Sequence, residues 1–72
     1  MDLLFEGKLD GAFEGFNENK VFTFTNGQKW QQARYKYKYR YLYRPTARIW
    51  RDGSRYLIDV DGVGEMIQVR KI

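Results

Sequence analysis

The chain has 72 residues, enough for one small domain, and it contains no cysteine and no histidine. Disulfide cross-links, the common zinc sites and nucleophile–histidine pairs are therefore excluded. Aromatic residues make up 18% of the chain. We expect the burial of large rings, or association between copies, to stabilise so small a domain.

The net charge of +4 is unevenly distributed along the chain. Residues 1–18 carry a net charge of −4, residues 20–58 carry +9 and residues 59–72 carry −1. This asymmetry predicts an anionic partner for the middle segment, or contacts between that segment and the acidic start. No apolar run reaches membrane-spanning length, and the acidic start lacks the basic residues of a signal peptide. We therefore expect a cytoplasmic protein without membrane contact.

The first sixteen residues repeat a pattern of an apolar residue, an acid, a glycine and a variable residue, beginning at Phe5, Leu9 and Phe13. A spacing of four suits one face of a helix. Three glycines at that spacing would each cost such a helix about 1 kcal/mol relative to alanine. Because glycine is typical of bulges and strand corners, we predict a bulged, strongly bent first strand.

Turn signals divide the rest of the chain. Asn-Gly or Asp-Gly pairs, typical of type I′ hairpins, occur at Asn26-Gly27, Asp52-Gly53 and Asp61-Gly62. A looser turn is predicted at Asn17-Glu18-Asn19. The intervening segments, rich in aromatic and β-branched residues, are 20–25, 28–43, 46–51, 55–60 and 65–72.

Because hairpin-joined strands usually pair, these segments predict a single all-β domain over residues 1–72. We expect a five-stranded, bent antiparallel sheet or a small barrel. Segment 28–43 exceeds the usual strand length of about 3–10 residues, so it must bend across the sheet or project beyond it.

Residues 35–43 alternate tyrosine with mostly basic residues. Because side chains along a strand alternate between faces, all the tyrosines fall on one side. We call them the tyrosine series: Tyr35, Tyr37, Tyr39, Tyr41 and Tyr43. The opposite side carries Lys36, Lys38, Arg40 and Leu42, extended at its ends by Arg34 and Arg44.

The tyrosine series is compatible with three roles. The rings could form the inner face of the sheet, with the cations as its solvated outer face. They could instead stack on unpaired bases while the cations, widened by Arg48, Arg51 and Arg55, neutralise phosphates. Because the rings and the cations lie on opposite faces of a strand, one flat surface cannot easily offer both to a nucleic acid. Finally, surplus tyrosines could form a homo-oligomer interface.

Other residues give weaker signals. A small-ligand pocket lined by Trp50 and the tyrosines is a further possibility. Trp30 and Trp50 otherwise suit structural positions at the ends of the sheet. The candidate acid–base carboxylates, Asp52, Asp59, Asp61 and Glu65, lie at or near turns, where solvated acids are ordinary. We therefore predict no enzymatic activity, no cofactor and no metal site.

Several motifs together resemble a group of short uncharacterised bacterial proteins, some of them mobile gene cassette proteins of integrons. The motifs are Phe13-Glu14-Gly15-Phe16, the block 22–32, the tyrosine series, Tyr43-Arg44-Pro45 and Val69-Arg70. The resemblance covers roughly residues 4–72 and implies a compact domain similar to SH3-like β-barrels, without established activity or catalytic residues. In that group the positions between the aromatics are often small or polar, whereas this chain has Lys36, Lys38 and Arg40. The basic side is therefore a feature of this chain.

The sequence thus predicts a binding or assembly module that self-associates through its aromatic-rich strand. The alternative is single-stranded nucleic-acid binding through strand 34–44.

Overall fold

The computed structural model describes all 72 residues and contains eight β-strands and no helix, so no helix could cross a membrane. In chain order the strands are β1 (Asp2–Lys8), β2 (Ala12–Phe16), β3 (Val21–Thr23), β4 (Lys29–Gln32), β5 (Lys38–Tyr43), β6 (Thr46–Asp52), β7 (Arg55–Val60) and β8 (Met66–Lys71). All pairings are antiparallel, which confirms the predicted all-β class. There are eight strands rather than five, because segment 28–43 divides into two and residues 1–16, outside the five segments, form two more.

The strands form a six-stranded sheet in the order β1-β6-β7-β8-β4-β3 and a two-stranded sheet of β2 and β5. The larger sheet curls, so that the ends of its edge strands β1 and β3 come together. They meet at one isolated bridge, between Leu9, which follows β1, and Phe24, which follows β3. Beside it, the Asp10 amide donates to the Thr23 carbonyl at 2.8 Å. The edges meet only there, so the predicted barrel is not closed.

Hairpins occur at all three Asn-Gly and Asp-Gly positions and join β3 to β4, β6 to β7 and β7 to β8. The only non-glycine residues with positive φ are Asn19 and Arg44, so these hairpins do not use type I′ turns. In the β6–β7 hairpin, Gly53 takes the first central position with a φ of 64°. A type II′ turn requires this arrangement.

The first sixteen residues form two strands that meet at a corner rather than a helix. β1 pairs with β6 and β2 pairs with β5, so the two strands enter different sheets. The register shifts between Leu3 and Phe5 and again between Phe13 and Gly15. The predicted bulge and bend are therefore present, but the bend at residues 9–11 divides the predicted single strand into two.

The core lies between the two sheets and consists of thirteen buried apolar residues. Its aromatic centre is a cluster in which Phe16 packs edge-on against both Phe13 and Phe22, at centroid distances of 5.8 and 6.0 Å. Trp30 is also buried, and its indole N–H donates to Gln28 Oε1 at 3.2 Å. Tightly packed rings thus supply the burial that a chain without cross-links needs.

The predicted strand 28–43 is interrupted after Gln32, which is 1% exposed. Its Nε2 donates to the carbonyls of Arg34 at 2.8 Å and Lys36 at 3.2 Å, while its Oε1 accepts from the Asn17 amide at 2.9 Å. A side-chain amide thereby satisfies backbone groups that a continuous strand would place in a ladder. Residues 33–37 form a loop, so β4 pairs with β8 while β5 pairs with β2.

Candidate interaction surface

Every member of the tyrosine series is exposed, with exposed fractions between 56% and 71%. Tyr39, Tyr41 and Tyr43 project from β5, and Tyr35 and Tyr37 lie in the preceding loop. The hypothesis that the series forms the inner face of the sheet is therefore wrong. The rings form an outer surface instead.

The opposite side of β5 faces the core. Leu42 lies opposite the buried Phe13 and packs against the core cluster, and Lys38 lies opposite the buried Phe16. Alternation along β5 therefore holds at Lys38, Leu42 and the three strand tyrosines. The core side of β5, however, carries Lys38 and Leu42, and the tyrosines lie on the solvent side.

A close approach between β2 and β5 fixes this arrangement at Gly15, whose φ is 109°. A Cβ added at Gly15 would overlap the carbonyl oxygen of Lys38 and lie 3.0 Å from the amide nitrogen of Arg40. Only glycine combines this backbone conformation with so close a neighbour. The glycine pattern near the start of the chain thus supports the position of the tyrosine series.

A bulge in the same pair of strands alters the predicted separation of rings from cations. Between the pairs Phe13–Leu42 and Gly15–Tyr39, two residues of β5 oppose one residue of β2. Those residues are Arg40 and Tyr41, opposite Glu14, and all three are exposed. One cation of the predicted basic side is therefore exposed directly between two tyrosines in sequence.

Lys36 and Lys38 both contact one carboxylate, that of Glu65. Lys36 Nζ lies 2.6 Å from Oε2 and Lys38 Nζ lies 3.1 Å from Oε1. Oε2 is shielded from water and has no hydrogen-bond partner beyond this ion pair. Hydrogen bonding to Lys36, and then to Lys38, lowers the pKa of the Glu65 carboxyl. Two predicted phosphate-binding cations are therefore already paired within the chain.

Arg48 lies on β6 and contacts carboxylates from both neighbouring strands and the following turn. Its Nε lies 2.7 Å from Glu6 Oε2, and its Nη1 lies 2.7 Å from Asp61 Oδ1 and 3.7 Å from Asp59 Oδ2. The hydrogen bond to Asp61 raises the pKa of Arg48, and the same bond lowers the pKa of Asp61. Its charge is neutralised locally, so Arg48 does not extend a basic surface.

Of the eight cations considered for phosphate binding, Arg55 pairs with Asp52 at 2.9 Å, and four form no ion pair: Arg34, Arg40, Arg44 and Arg51. Arg34 Nε donates to Gln68 Oε1 at 3.0 Å, whereas Arg40 and Arg44 are exposed and form no side-chain contact with an acid. Trp50 is half-buried on β6, between Leu3 and Leu57 on the neighbouring strands. The structure therefore places Trp50 in the larger sheet and not among the tyrosines of β5.

A groove of about 220 Å³ lies beside the tyrosine series, and sequence reasoning missed it. Tyr37 and Tyr39 line it together with Glu14 of β2 and Lys20, which precedes β3. The Lys20 Nζ to Glu14 Oε1 distance is 4.0 Å, and the Glu14 side chain is 61% exposed. Tyr37 and Tyr39 were predicted binding residues, but Glu14 and Lys20 were not, because the pairing of β2 with β5 was not predicted.

The side chains at this surface are suited to non-covalent recognition. Stacking, hydrogen bonding by phenol groups and attraction of charge by Arg40, Arg44 and Glu14 are all possible there. No group of three or more acids in the chain is arranged to hold a metal ion. Comparisons with protein-family models, curated proteins and solved structures found no match to this chain.

Proposed function

We propose that this protein is a non-enzymatic assembly module that self-associates through the tyrosine series. One observation carries the proposal: five consecutive alternate tyrosines are exposed on one small domain, each by more than half. Concentrated aromatic surface is typical of protein interfaces, in which tyrosine is enriched. Association would remove this surface from water and stabilise a domain that has no cross-links.

The strand that carries the tyrosines also favours association. β5 pairs only with β2, so its other edge is unpaired in the isolated chain. Unpaired edges expose backbone donors and acceptors that a second strand can use. Natural edge strands are commonly protected by inward-pointing charges that would be buried by a further strand. On β5 the inward-pointing charge is that of Lys38, and Glu65 neutralises it. The exposed tyrosines add no such protection, which favours a partner surface here.

Charge distribution favours a protein partner over a nucleic acid. Lys36, Lys38 and Arg48 are neutralised by carboxylates of their own chain. Glu14 adds a negative charge beside Tyr37 and Tyr39. Phosphate affinity depends on the number of cations free to release counterions, so this surface offers fewer than the sequence suggests.

Sedimentation velocity, extended to high micromolar concentration, tests self-association. We expect the wild-type chain to form a defined oligomer and the Y39S/Y41S/Y43S variant to be monomeric. The control variant L3S/L4S removes exposed apolar side chains from β1, and we expect it to associate like the wild type. A wild-type chain that stays monomeric throughout would contradict the proposal.

Single-stranded nucleic-acid binding is the second candidate, and the bulge at Arg40 is the observation that favours it. Arg40 and Arg44 are unpaired, and both are neighbours in sequence of exposed tyrosines. Such an arrangement lets rings stack on bases while guanidinium groups contact phosphates. This reduces the difficulty posed by rings and cations on opposite faces.

Fluorescence anisotropy with a labelled oligothymidine at several salt concentrations tests this candidate. The logarithm of the binding constant falls linearly with the logarithm of the salt concentration. If both arginines contact phosphates, R40Q/R44Q should make this slope less steep by about 1.4. The control K8Q/K29Q removes the same charge from exposed positions of the larger sheet and should leave most of the affinity intact. No binding at low salt would exclude this function.

A further inference from the structure

The groove beside the tyrosine series combines two tyrosines with an exposed carboxylate. Tyr37 and Tyr39 line it, and Glu14 contributes a side chain that is 61% exposed. The nearest cation, Lys20, lies 4.0 Å away, at the outer limit of an ion pair. Aromatic rings attract cations, and a carboxylate accepts two parallel hydrogen bonds from a guanidinium group. This lining therefore suits an arginine side chain.

Arg40 is an unpaired guanidinium group immediately next to this groove. It follows Tyr39 in sequence, is exposed, and makes no ion pair with Glu14 of its own chain although the two residues oppose each other at the bulge. The surface thus carries an acceptor for arginine and an unused arginine side by side. Such a surface is complementary to a second copy of itself.

We propose that a second copy of this chain inserts its Arg40 into the groove lined by Glu14, Tyr37 and Tyr39, across a two-fold axis. This inference rests on the proposed self-association and specifies its geometry. A two-fold interface repeats each contact, so each dimer contains two such arginine–glutamate pairs. An axis midway between Arg40 and the groove exchanges them. That axis lies beside β5, so the tyrosine series of the two copies face each other.

The exposed Glu14 carboxylate favours a protein cation as the occupant, because Lys20, the other charge of the groove, lies at the outer limit of an ion pair with it. Glu14 would repel a phosphate, whereas it attracts a guanidinium group. Arginine also binds aromatic faces and carboxylates more specifically than lysine does, because its planar group offers donors in a fixed arrangement. The same interface would cover the rings that the isolated chain exposes.

Charge reversal tests the pairing. In R40E and in E14R, each two-fold interface contains two like-charged pairs, so we expect each variant to raise the dimer Kd about tenfold or more. When R40E is mixed with E14R, both contacts become attractive again, but only between unlike chains. Native mass spectrometry should therefore show heterodimers, with a Kd within about threefold of the wild type. The double variant E14R/R40E should likewise form homodimers.

The matched controls are D2R and R51E, which reverse the same charge types at a cross-strand pair of β1 and β6. We expect both to dimerise like the wild type, and circular dichroism checks that all variants are folded. A dimeric wild type that is insensitive to R40E and E14R would overturn this inference while leaving self-association in place. Failure of the mixed and double variants to recover would also overturn it. A monomeric wild type would overturn both proposals.

Discussion

Gly15 of β2 lies directly against the carbonyl group of Lys38 on β5, and no side chain can be accommodated between them. A Cβ at Gly15 would overlap the Lys38 carbonyl oxygen and lie 2.9 Å from its carbon. This contact lets β5 lie close to β2, with Leu42 over the core and the tyrosines outside. The sidedness of the candidate surface therefore depends on a glycine in another strand.

Replacing Gly15 with alanine should destabilise the domain by about 3 kcal/mol or more, because strain at positive φ adds to a backbone overlap. A domain of this size has little more stability than that to lose. The control is G53A, where φ is 64° but nothing lies within 4 Å of the added Cβ; it should cost only about 1–2 kcal/mol. Urea denaturation measures both. Equal stabilities for the two variants would contradict the close approach at Gly15.

Replacing Gln32 with leucine should destabilise the domain by about 2–3 kcal/mol, because backbone groups of Asn17, Arg34 and Lys36 lose their partners. Amide hydrogen exchange should become faster at Asn17, whose amide loses its acceptor, and at Ala33, whose amide is bonded to the Gln68 carbonyl at the start of the loop. The control is Q31L, whose side-chain contacts are exposed; we expect its effect to stay within about 0.5 kcal/mol. Unchanged exchange in Q32L would show that the buried amide does not organise the loop.

The sequence predicted the strand character and much of the alternation of residues 38–43, because a period of two is a local property of the chain. It could not predict which face is buried. Tyrosine suits cores and surfaces alike, and the only local indication was Leu42, the one apolar residue among the intervening cations. The decision depends on β2, which supplies Phe13, Phe16 and Gly15 from a distant part of the sequence.

The division of segment 28–43 was equally inaccessible from local pattern. Residues on both sides of Gln32 favour strands, and the interruption arises because a buried side-chain amide bonds to the following loop. The pairing of Lys36 and Lys38 with Glu65 likewise cannot be predicted from local pattern, because the residues are far apart in sequence. Charge counting found an excess of cations in the middle segment, but only tertiary structure shows which of them are neutralised.

The stability of the wild type should decrease in acid partly through Glu65. Lys36 and Lys38 hold the pKa of this carboxyl below its ordinary value of 4.5, so the folded state favours the ionised form. That contribution is complete above the unfolded pKa and is lost as the pH falls through the lowered pKa of the folded state. The variant E65Q lacks it, so E65Q should be less stable than the wild type at neutral pH.

Urea denaturation of both proteins between neutral and strongly acidic pH measures this difference. The pKa of Asp61 is also lowered, by Arg48, but Asp61 is present in both proteins and its effect cancels. We expect the difference in unfolding free energy to shrink as the pH falls below 4.5. A difference that is independent of pH would show that the two lysines do not stabilise the Glu65 carboxylate.

Alanine substitutions at adjacent positions of β5 should have opposite consequences for folding and for association. Leu42 packs against the core, so L42A should lower the free energy of unfolding by about 1–2 kcal/mol, less than a fully buried leucine would. Tyr41 is 56% exposed, so Y41A should change stability by no more than about 0.5 kcal/mol in the monomer. At concentrations where the wild type associates, Y41A should instead weaken the oligomer. If Y41A destabilised the dilute monomer more than L42A did, the tyrosines would face the core and the assembly surface would lie elsewhere.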